Sequence, residues 1–138
     1  MTAVELHDYE RFPFHIIDAI QVICEYISRD ARHELVKVCA EGIEKEKETE
    51  KSPYPPKWGV SKIMALKLKV DERTTQRWIS KGIQGCNENI FKLIELSLEY
   101  SPIQTINVIQ EDLESYTKSV VSILTEFYTE LRQGAVGV

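Results

Sequence analysis

The sequence lacks the residue spacings that mark most catalytic and metal-binding sites. Its three histidines, His7, His15 and His33, form neither an HxxxH nor an HExxH pattern, so no two lie one helical turn apart as zinc ligands. It contains no Gly-rich phosphate loop, no GxSxG and no local grouping of Ser, His and Asp that suits nucleophilic catalysis. We therefore expect a protein that is not an enzyme and that binds no metal, cofactor or small-molecule ligand.

Cysteine and long apolar runs are also scarce. Three cysteines, Cys24, Cys39 and Cys86, form no CxxC pair, and their odd number leaves at least one thiol unpaired in a monomer, which favours a reducing compartment. The longest apolar stretch, residues 12–27, is interrupted by polar and charged residues, and the N-terminus lacks a basic segment followed by an apolar one. The sequence thus predicts a soluble, unprocessed, cytoplasmic protein without a membrane span.

Acidic residues outnumber basic ones except in the middle of the chain. The 138 residues, 43% of them hydrophobic, suit one domain with an ordinary core, and their net charge of -5 excludes a protein that is basic throughout. Residues 1–55 (seven basic, twelve acidic) and residues 83–138 (three basic, eight acidic) each have a net charge of -5. Residues 56–82 have seven basic and two acidic side chains, a net charge of +5. Any nucleic-acid site must therefore be local, and this segment is its place.

The spacing of apolar residues predicts an all-α fold, because they recur three and four positions apart and no two-residue alternation is sustained. Residues 1–51 are expected to form an N-terminal helical pair, with an apolar stripe from Ile16 to Ile27 on one helix and Asp30 as the N-cap of the other. Three prolines in residues 52–56 cannot continue a helix and define a linker. This pair and a long C-terminal helix are predicted to flank a helix-turn-helix core.

The segment after the linker, SKIMALKLKVDERTTQRWIS (residues 61–80), has the pattern of two short helices that share one core. Lys69 and Val70 make the turn, and Asp71 is placed to cap the second helix. The residues expected to turn inward on that helix are Thr75, Trp78 and Ile79. Its outward face then holds donors and acceptors that suit base edges in the major groove. These residues are Glu72, Arg73, Gln76, Arg77 and Ser80, with Thr74 at the margin.

This segment resembles the helix-turn-helix unit of Xre/Cro-like phage repressors. Within it, TTQRWISKG is similar to the end of the recognition helix in that family, and the likeness extends over residues 57–100 if NENIFKLIELSLEY is the supporting helix. The resemblance implies that the helix from Asp71 to Ser80 lies in the major groove. Two positions differ from the family pattern: Lys69 stands where glycine is usual, and Thr75 replaces valine or isoleucine.

The expected DNA contacts divide into two groups, because base contacts select a site and phosphate contacts position the protein on it. The residues predicted to contact base edges are Arg73, Thr74, Gln76 and Arg77. The residues predicted to contact phosphates are Lys62, Lys67, Lys69, Ser80 and Lys81. Glu72 has two interpretations, since it either accepts from cytosine or only favours the helix N-terminus.

Residues 101–138 are predicted to form one long helix that starts at Ser101 and Pro102. Apolar residues recur along it with heptad spacing, and this seam consists of Ile106, Ile109, Leu113, Tyr116, Val120, Ile123 and Phe127. From Ile103 to Leu131 the helix would be about 43 Å long, more than a small domain easily covers. We therefore expect a homodimer through this seam. The alternative is that the helix only closes the core of the monomer against the N-terminal pair.

Together these features predict a sequence-specific protein that binds double-stranded DNA and acts as a dimeric transcriptional regulator on the nucleoid. The same kind of module also serves in DNA-partition and recombination complexes. The alternative from another class is a helical protein-interaction module that acts through its C-terminal helix, in which the basic segment is only a solvated face.

Overall fold

The structure, a computed structural model, describes residues 12–83 and 87–137. Six α-helices account for most of these residues, and no strand occurs among them. The helices are α1 (Phe14–Tyr26), α2 (Arg29–Lys47), α3 (Val60–Leu68), α4 (Glu72–Lys81), α5 (Asn87–Tyr100) and α6 (Pro102–Gly137). The predicted all-α fold is thus confirmed for this part of the chain. His7, Cys86 and the start of the predicted N-terminal region lie outside the described residues.

The first two helices correspond to the predicted N-terminal pair. α1 begins directly after Pro13, and α2 begins after Ser28, whose hydroxyl accepts a hydrogen bond from the amide of Ala31 at 3.1 Å. The prediction that Asp30 caps α2 was wrong by two residues. Ser28 has the extended backbone of a cap, whereas Asp30 lies in the first turn, where its negative charge favours the helix N-terminus.

The core lies between α2 and α5, and the other four helices pack against this pair. α2 contributes Leu35, Val36 and Cys39, and α5 contributes Leu93 and Ile94, each with 0% exposure. Full burial of one aliphatic side chain of this size stabilises a fold by about 1.5–3 kcal/mol. Contacts between α2 and α5 therefore supply much of the driving force that holds the surrounding helices in place.

A tight corner at Ser101 joins α5 to α6, which begins at Pro102 as the sequence predicts. The buried hydroxyls of Ser97 and Thr105 are hydrogen-bonded to each other at 2.5 Å across this corner. Farther along α6, the carboxylate of Asp112 accepts hydrogen bonds from the amide and the hydroxyl of Ser28, at 3.0 and 2.5 Å. These contacts hold the first part of α6 against α5 and against the corner between α1 and α2.

The remainder of α6 has little contact with the rest of the described chain. Its 36 residues give it a length of about 54 Å. From residue 113 to residue 134 every side chain is exposed except Val120, which is half-buried. Within residues 12–83 and 87–137, no helix has both the length and the apolar character that crossing a membrane requires.

Candidate nucleic-acid interface

A three-residue turn joins α3 to α4. Lys69 ends α3 in the left-handed conformation, with φ 58° and ψ 45°, and the amide of Val70 donates to the carbonyl of Ala65 at 3.0 Å. Asp71 then caps α4 by accepting from the amide of Arg73 at 3.3 Å. Ala65 is buried, so its small side chain allows the two helices to pack closely. The turn positions and the cap are those that the sequence predicts.

The inner face of α4 packs into the core. Thr75 is fully buried, and its hydroxyl donates to the carbonyl of Ser61 on α3 at 2.7 Å. Trp78 is also buried, which fits its predicted role as a core residue, and Ile79 is half-buried. α4 ends at Gly82, whose φ of 85° requires glycine and whose backbone lies against His33 of α2. The helix is therefore held at both ends and along one side.

The opposite face of α4 is open to solvent. Its exposed side chains are Glu72, Arg73, Gln76, Arg77, Ser80 and Lys81, with Thr74 half-buried at the margin. Ser80 donates to the carbonyl of Arg77 at 3.2 Å. Within the described part of the chain, the side chains of Arg73, Gln76 and Arg77 have neither an ion pair nor a hydrogen bond. Their donors and acceptors are thus available to a ligand.

The lysines of the basic segment fall into two environments. Lys62, Lys69 and Lys81 are exposed. Lys67 is half-buried, and its ammonium lies 3.5 Å from a carboxylate oxygen of Glu99 and 5.8 Å from the centre of the Tyr100 ring. A phosphate would have to compete with this ion pair for Lys67.

One arrangement near the interface was not anticipated from the sequence. The rings of Tyr54 and Trp58 stack with their centres 5.6 Å apart, and the ammonium of Lys62 lies 4.4 Å above the Trp58 ring. A cation over an aromatic face is attracted by about 0.5–1 kcal/mol at an exposed site, which favours one position for the lysine. The signal was the four-residue spacing between Trp58, just before α3, and Lys62 in its first turn.

The seam residues of α6 do not share one environment. Ile109 is half-buried against the core, and the Tyr116 ring lies 5.9 Å from that of Tyr26. Leu113 lies in an apolar groove between α6 and α1, together with Ile106. Farther along, Val120 is half-buried, whereas Ile123 and Phe127 are 64% and 57% exposed. The first half of the seam therefore packs partly against the protein itself, and Ile123 and Phe127 at its end are largely exposed.

No group of three or more His, Cys, Asp or Glu side chains suited to a metal ion occurs among the described residues. Comparison with known protein families, with curated proteins and with solved structures gives no match. The features of the described residues that bear on function are the geometry and charge of α3, α4 and α6.

Proposed function

We propose that this protein binds double-stranded DNA in a sequence-specific manner, reads the major groove with α4, and acts as a transcriptional regulator on the nucleoid. The observation that carries the proposal is the outer face of α4. Arg73, Gln76 and Arg77 lie together on it, exposed and without partners in the described chain, while the inner face is anchored in the core. An α-helix such as α4, about 10–12 Å across with its side chains, fits the major groove, which is about 12 Å wide.

Electrostatics support the same face as the one that meets DNA. The segment that contains α3 and α4 has a net charge of +5, whereas the chain on either side of it has -5. DNA would be attracted to this segment and repelled from the remainder of the surface. In this proposal Lys62, Lys69 and Lys81 contact phosphates, and Ser80 adds a neutral donor. Lys67 contributes only if DNA displaces Glu99.

The residues on α4 have distinct roles in the proposal. Arg73 and Arg77 present paired donors that match guanine, and Gln76 presents a donor and an acceptor that match adenine. Thr74, half-buried at the margin, offers a methyl and a hydroxyl to the edge of the site. Glu72 lies in the first turn, where its charge also favours the helix N-terminus. A homodimer would place two such helices on successive turns of the duplex.

The test is a titration of labelled mixed-sequence duplex by fluorescence anisotropy at several salt concentrations. Wild-type affinity should fall with salt with a log-log slope of about -5, as expected for roughly six phosphate contacts. The variant Arg73→Glu, Arg77→Glu should lose binding. A matched control, Arg29→Glu, Lys37→Glu, changes the net charge equally at exposed sites on α2 and should bind nearly as well as wild type. Equal losses in both variants, or no binding at low salt, would contradict the proposal.

Base reading requires a second experiment. Sites selected from random duplexes should share a motif, and Gln76→Ala should relax the preference at one position while the rest of the motif persists. Lys81→Ala should instead weaken binding to all sequences alike, because it removes a phosphate contact. A wild-type protein that selects no motif would support a structural role on DNA, as in partition or recombination complexes, and not sequence-specific regulation.

The second candidate function is a helical protein-interaction module. The observation that favours it is the row of exposed apolar side chains on the second half of α6, which includes Leu124, Tyr128 and Leu131. In that case the variant Arg73→Glu, Arg77→Glu would still bind the partner protein, and substitutions of these residues on α6 would abolish that binding.

A further inference from the structure

An open groove of about 800 Å³ runs between α1 and α6, and α5 forms its floor. Its lining is almost wholly apolar and includes Ile16 and Ile23 from α1, Leu98 from α5, and Ile106, Leu113 and Val121 from α6. Exposure of such an apolar surface to water is unfavourable, and its burial under a partner would stabilise the complex. The groove is therefore a site that a nonpolar helix face would fill.

The second half of α6 presents large apolar side chains to solvent. Each is 55–64% exposed, and they are Val121, Ile123, Leu124, Phe127, Tyr128 and Leu131. Together they expose on the order of 700 Å², more than the roughly 300–600 Å² of the largest apolar patch on a typical monomer. The area approaches the ~800 Å² that each partner contributes to a standard protein interface. This part of α6 has the size of one side of a stable dimer.

The groove and the exposed face lie along one side of the same helix. Residues three, four, seven or eight apart share a side of an α-helix, so Ile106, Leu113 and Val121 in the groove continue directly into the exposed residues that follow. Those residues are Leu124, Tyr128 and Leu131. A single chain thus carries both a concave apolar site and a convex apolar helix, and a two-fold pair of identical chains satisfies both at once.

We propose that the groove receives the second half of α6 from a second copy of this chain, with the two α6 helices antiparallel. Residues 106–121 of one helix then face residues 120–131 of the other, which puts the two-fold axis near residues 117–121. Each groove is filled by the partner's helix. A parallel pair would set groove against groove and leave both volumes unfilled, which close packing disfavours. The proposal rests on the homodimer within the proposed function and does not depend on DNA binding.

The direct test is the distance between spin labels attached at Glu130→Cys, measured by pulsed dipolar spectroscopy on the full chain. The background is Cys86→Ser, because the other two thiols, Cys24 and Cys39, are only 2% and 0% exposed and should not take up label. Antiparallel helices crossing near residue 119 place the two labels on the order of 35–40 Å apart, at ~1.5 Å per residue along the axis. Parallel helices would bring them within about 20 Å, since packed helices lie 8–10 Å apart.

The longer distance supports the proposal, and either the shorter distance or the absence of any dipolar coupling overturns it. Absent coupling would mean a monomer, in which residues 1–11 of the same chain or a different protein would be the remaining candidates for the groove. Sedimentation at the same concentrations checks independently whether the chain is a monomer or a dimer.

A second variant tests the groove itself. Ala19→Arg puts a charge at an exposed position in the groove wall, where the surrounding helices need not move to accommodate it. It should raise the dissociation constant of the dimer on the order of 100-fold, because the partner's apolar helix would bury that charge. Gln21→Arg, exposed on α1 and outside the groove, should dimerise like wild type. Equal dimerisation by Ala19→Arg and Gln21→Arg overturns the proposal.

Failure of the dimer and failure of DNA binding give different results. Ala19→Arg should still bind DNA as a monomer with a reduced salt slope, whereas Arg73→Glu, Arg77→Glu should form a normal dimer that does not bind DNA. Loss of the dimer in both variants would point to misfolding, which circular dichroism would reveal.

Discussion

The hydroxyl of Thr75 on α4 donates to the main-chain carbonyl of Ser61 in the first turn of α3, at 2.7 Å. The same hydroxyl lies 2.9 Å from the carbonyl of Glu72, so its proton is shared between the two helices. Thr75 is fully buried, and its methyl group packs in the core. Thr75 therefore couples the orientation of the proposed reading helix to α3.

Replacement of Thr75 by valine keeps the shape of the side chain and removes the hydrogen bond. We expect Thr75→Val to lower the free energy of unfolding by about 1 kcal/mol, the usual net contribution of such a bond. Urea denaturation measures the loss. Thr75→Ser retains the hydroxyl, loses the methyl and serves as the companion variant. A valine variant at least as stable as wild type would show that hydrophobic packing alone holds the two helices together.

Replacement of Lys69 by glycine should change stability and DNA binding in opposite directions. Its φ of 58° strains a side chain that has a Cβ, so Lys69→Gly should raise the free energy of unfolding by about 0.5–1 kcal/mol. The same change removes a proposed phosphate contact, and the salt slope of DNA binding should shrink by about 1. Thermal denaturation and anisotropy titrations check the two effects.

The matched control is Lys69→Ala, which also removes the charge but keeps a Cβ in the strained conformation. It should lose the same amount of DNA affinity without any gain in stability. If Lys69→Gly binds DNA as wild type does, then Lys69 does not contact phosphate.

Local chemistry explains which structural features the sequence could predict. The left-handed Lys69 and the cap at Asp71 follow from a short turn between two helical patterns, and α6 follows from its Ser-Pro start. The cap of α2 was misplaced because Asp30 and Ser28 are both good capping residues, and only the position of the preceding helix decides between them. Contacts between distant segments, such as Ser28 with Asp112 or Lys67 with Glu99, leave no periodic pattern and could not be read in advance.

Alkaline pH should destabilise the protein through its buried thiols. Burial, with a smaller effect of Glu99, raises the pKa of Cys39 from 9.0 to about 12, and burial raises the pKa of Cys24 to about 11. Because the unfolded thiols ionise first, stability is fully present below pH 9 and falls as the pH rises above it. In that range each such thiol lowers the free energy of unfolding by up to about 1.4 kcal/mol per pH unit.

The measurement is urea denaturation at pH 8, 9 and 10 for wild type and Cys39→Ala. Tyr100, whose pKa burial also raises from its usual 10, adds to the fall in both proteins at the upper end. The alanine variant should be less stable than wild type at pH 8, because it has fewer packing contacts. Between pH 9 and 10 its free energy of unfolding should fall less than that of wild type. Parallel curves for the two proteins would show that Cys39 is not protected from ionisation by folding.

Two glycines should respond differently to substitution by alanine. A Cβ at Gly42 would lie 2.7 Å from the hydroxyl of Ser101 and 2.8 Å from Cβ of Tyr100, at the corner between α5 and α6. We expect Gly42→Ala to lower the free energy of unfolding by about 1–3 kcal/mol, because this overpacking outweighs the helix propensity of alanine. A Cβ at Gly134, near the end of α6, meets nothing within 4 Å, so Gly134→Ala should cause no loss. Thermal denaturation of both variants checks the contrast. A Gly42→Ala protein as stable as Gly134→Ala would mean that the corner between α5 and α6 does not pack on α2 as closely as these distances indicate.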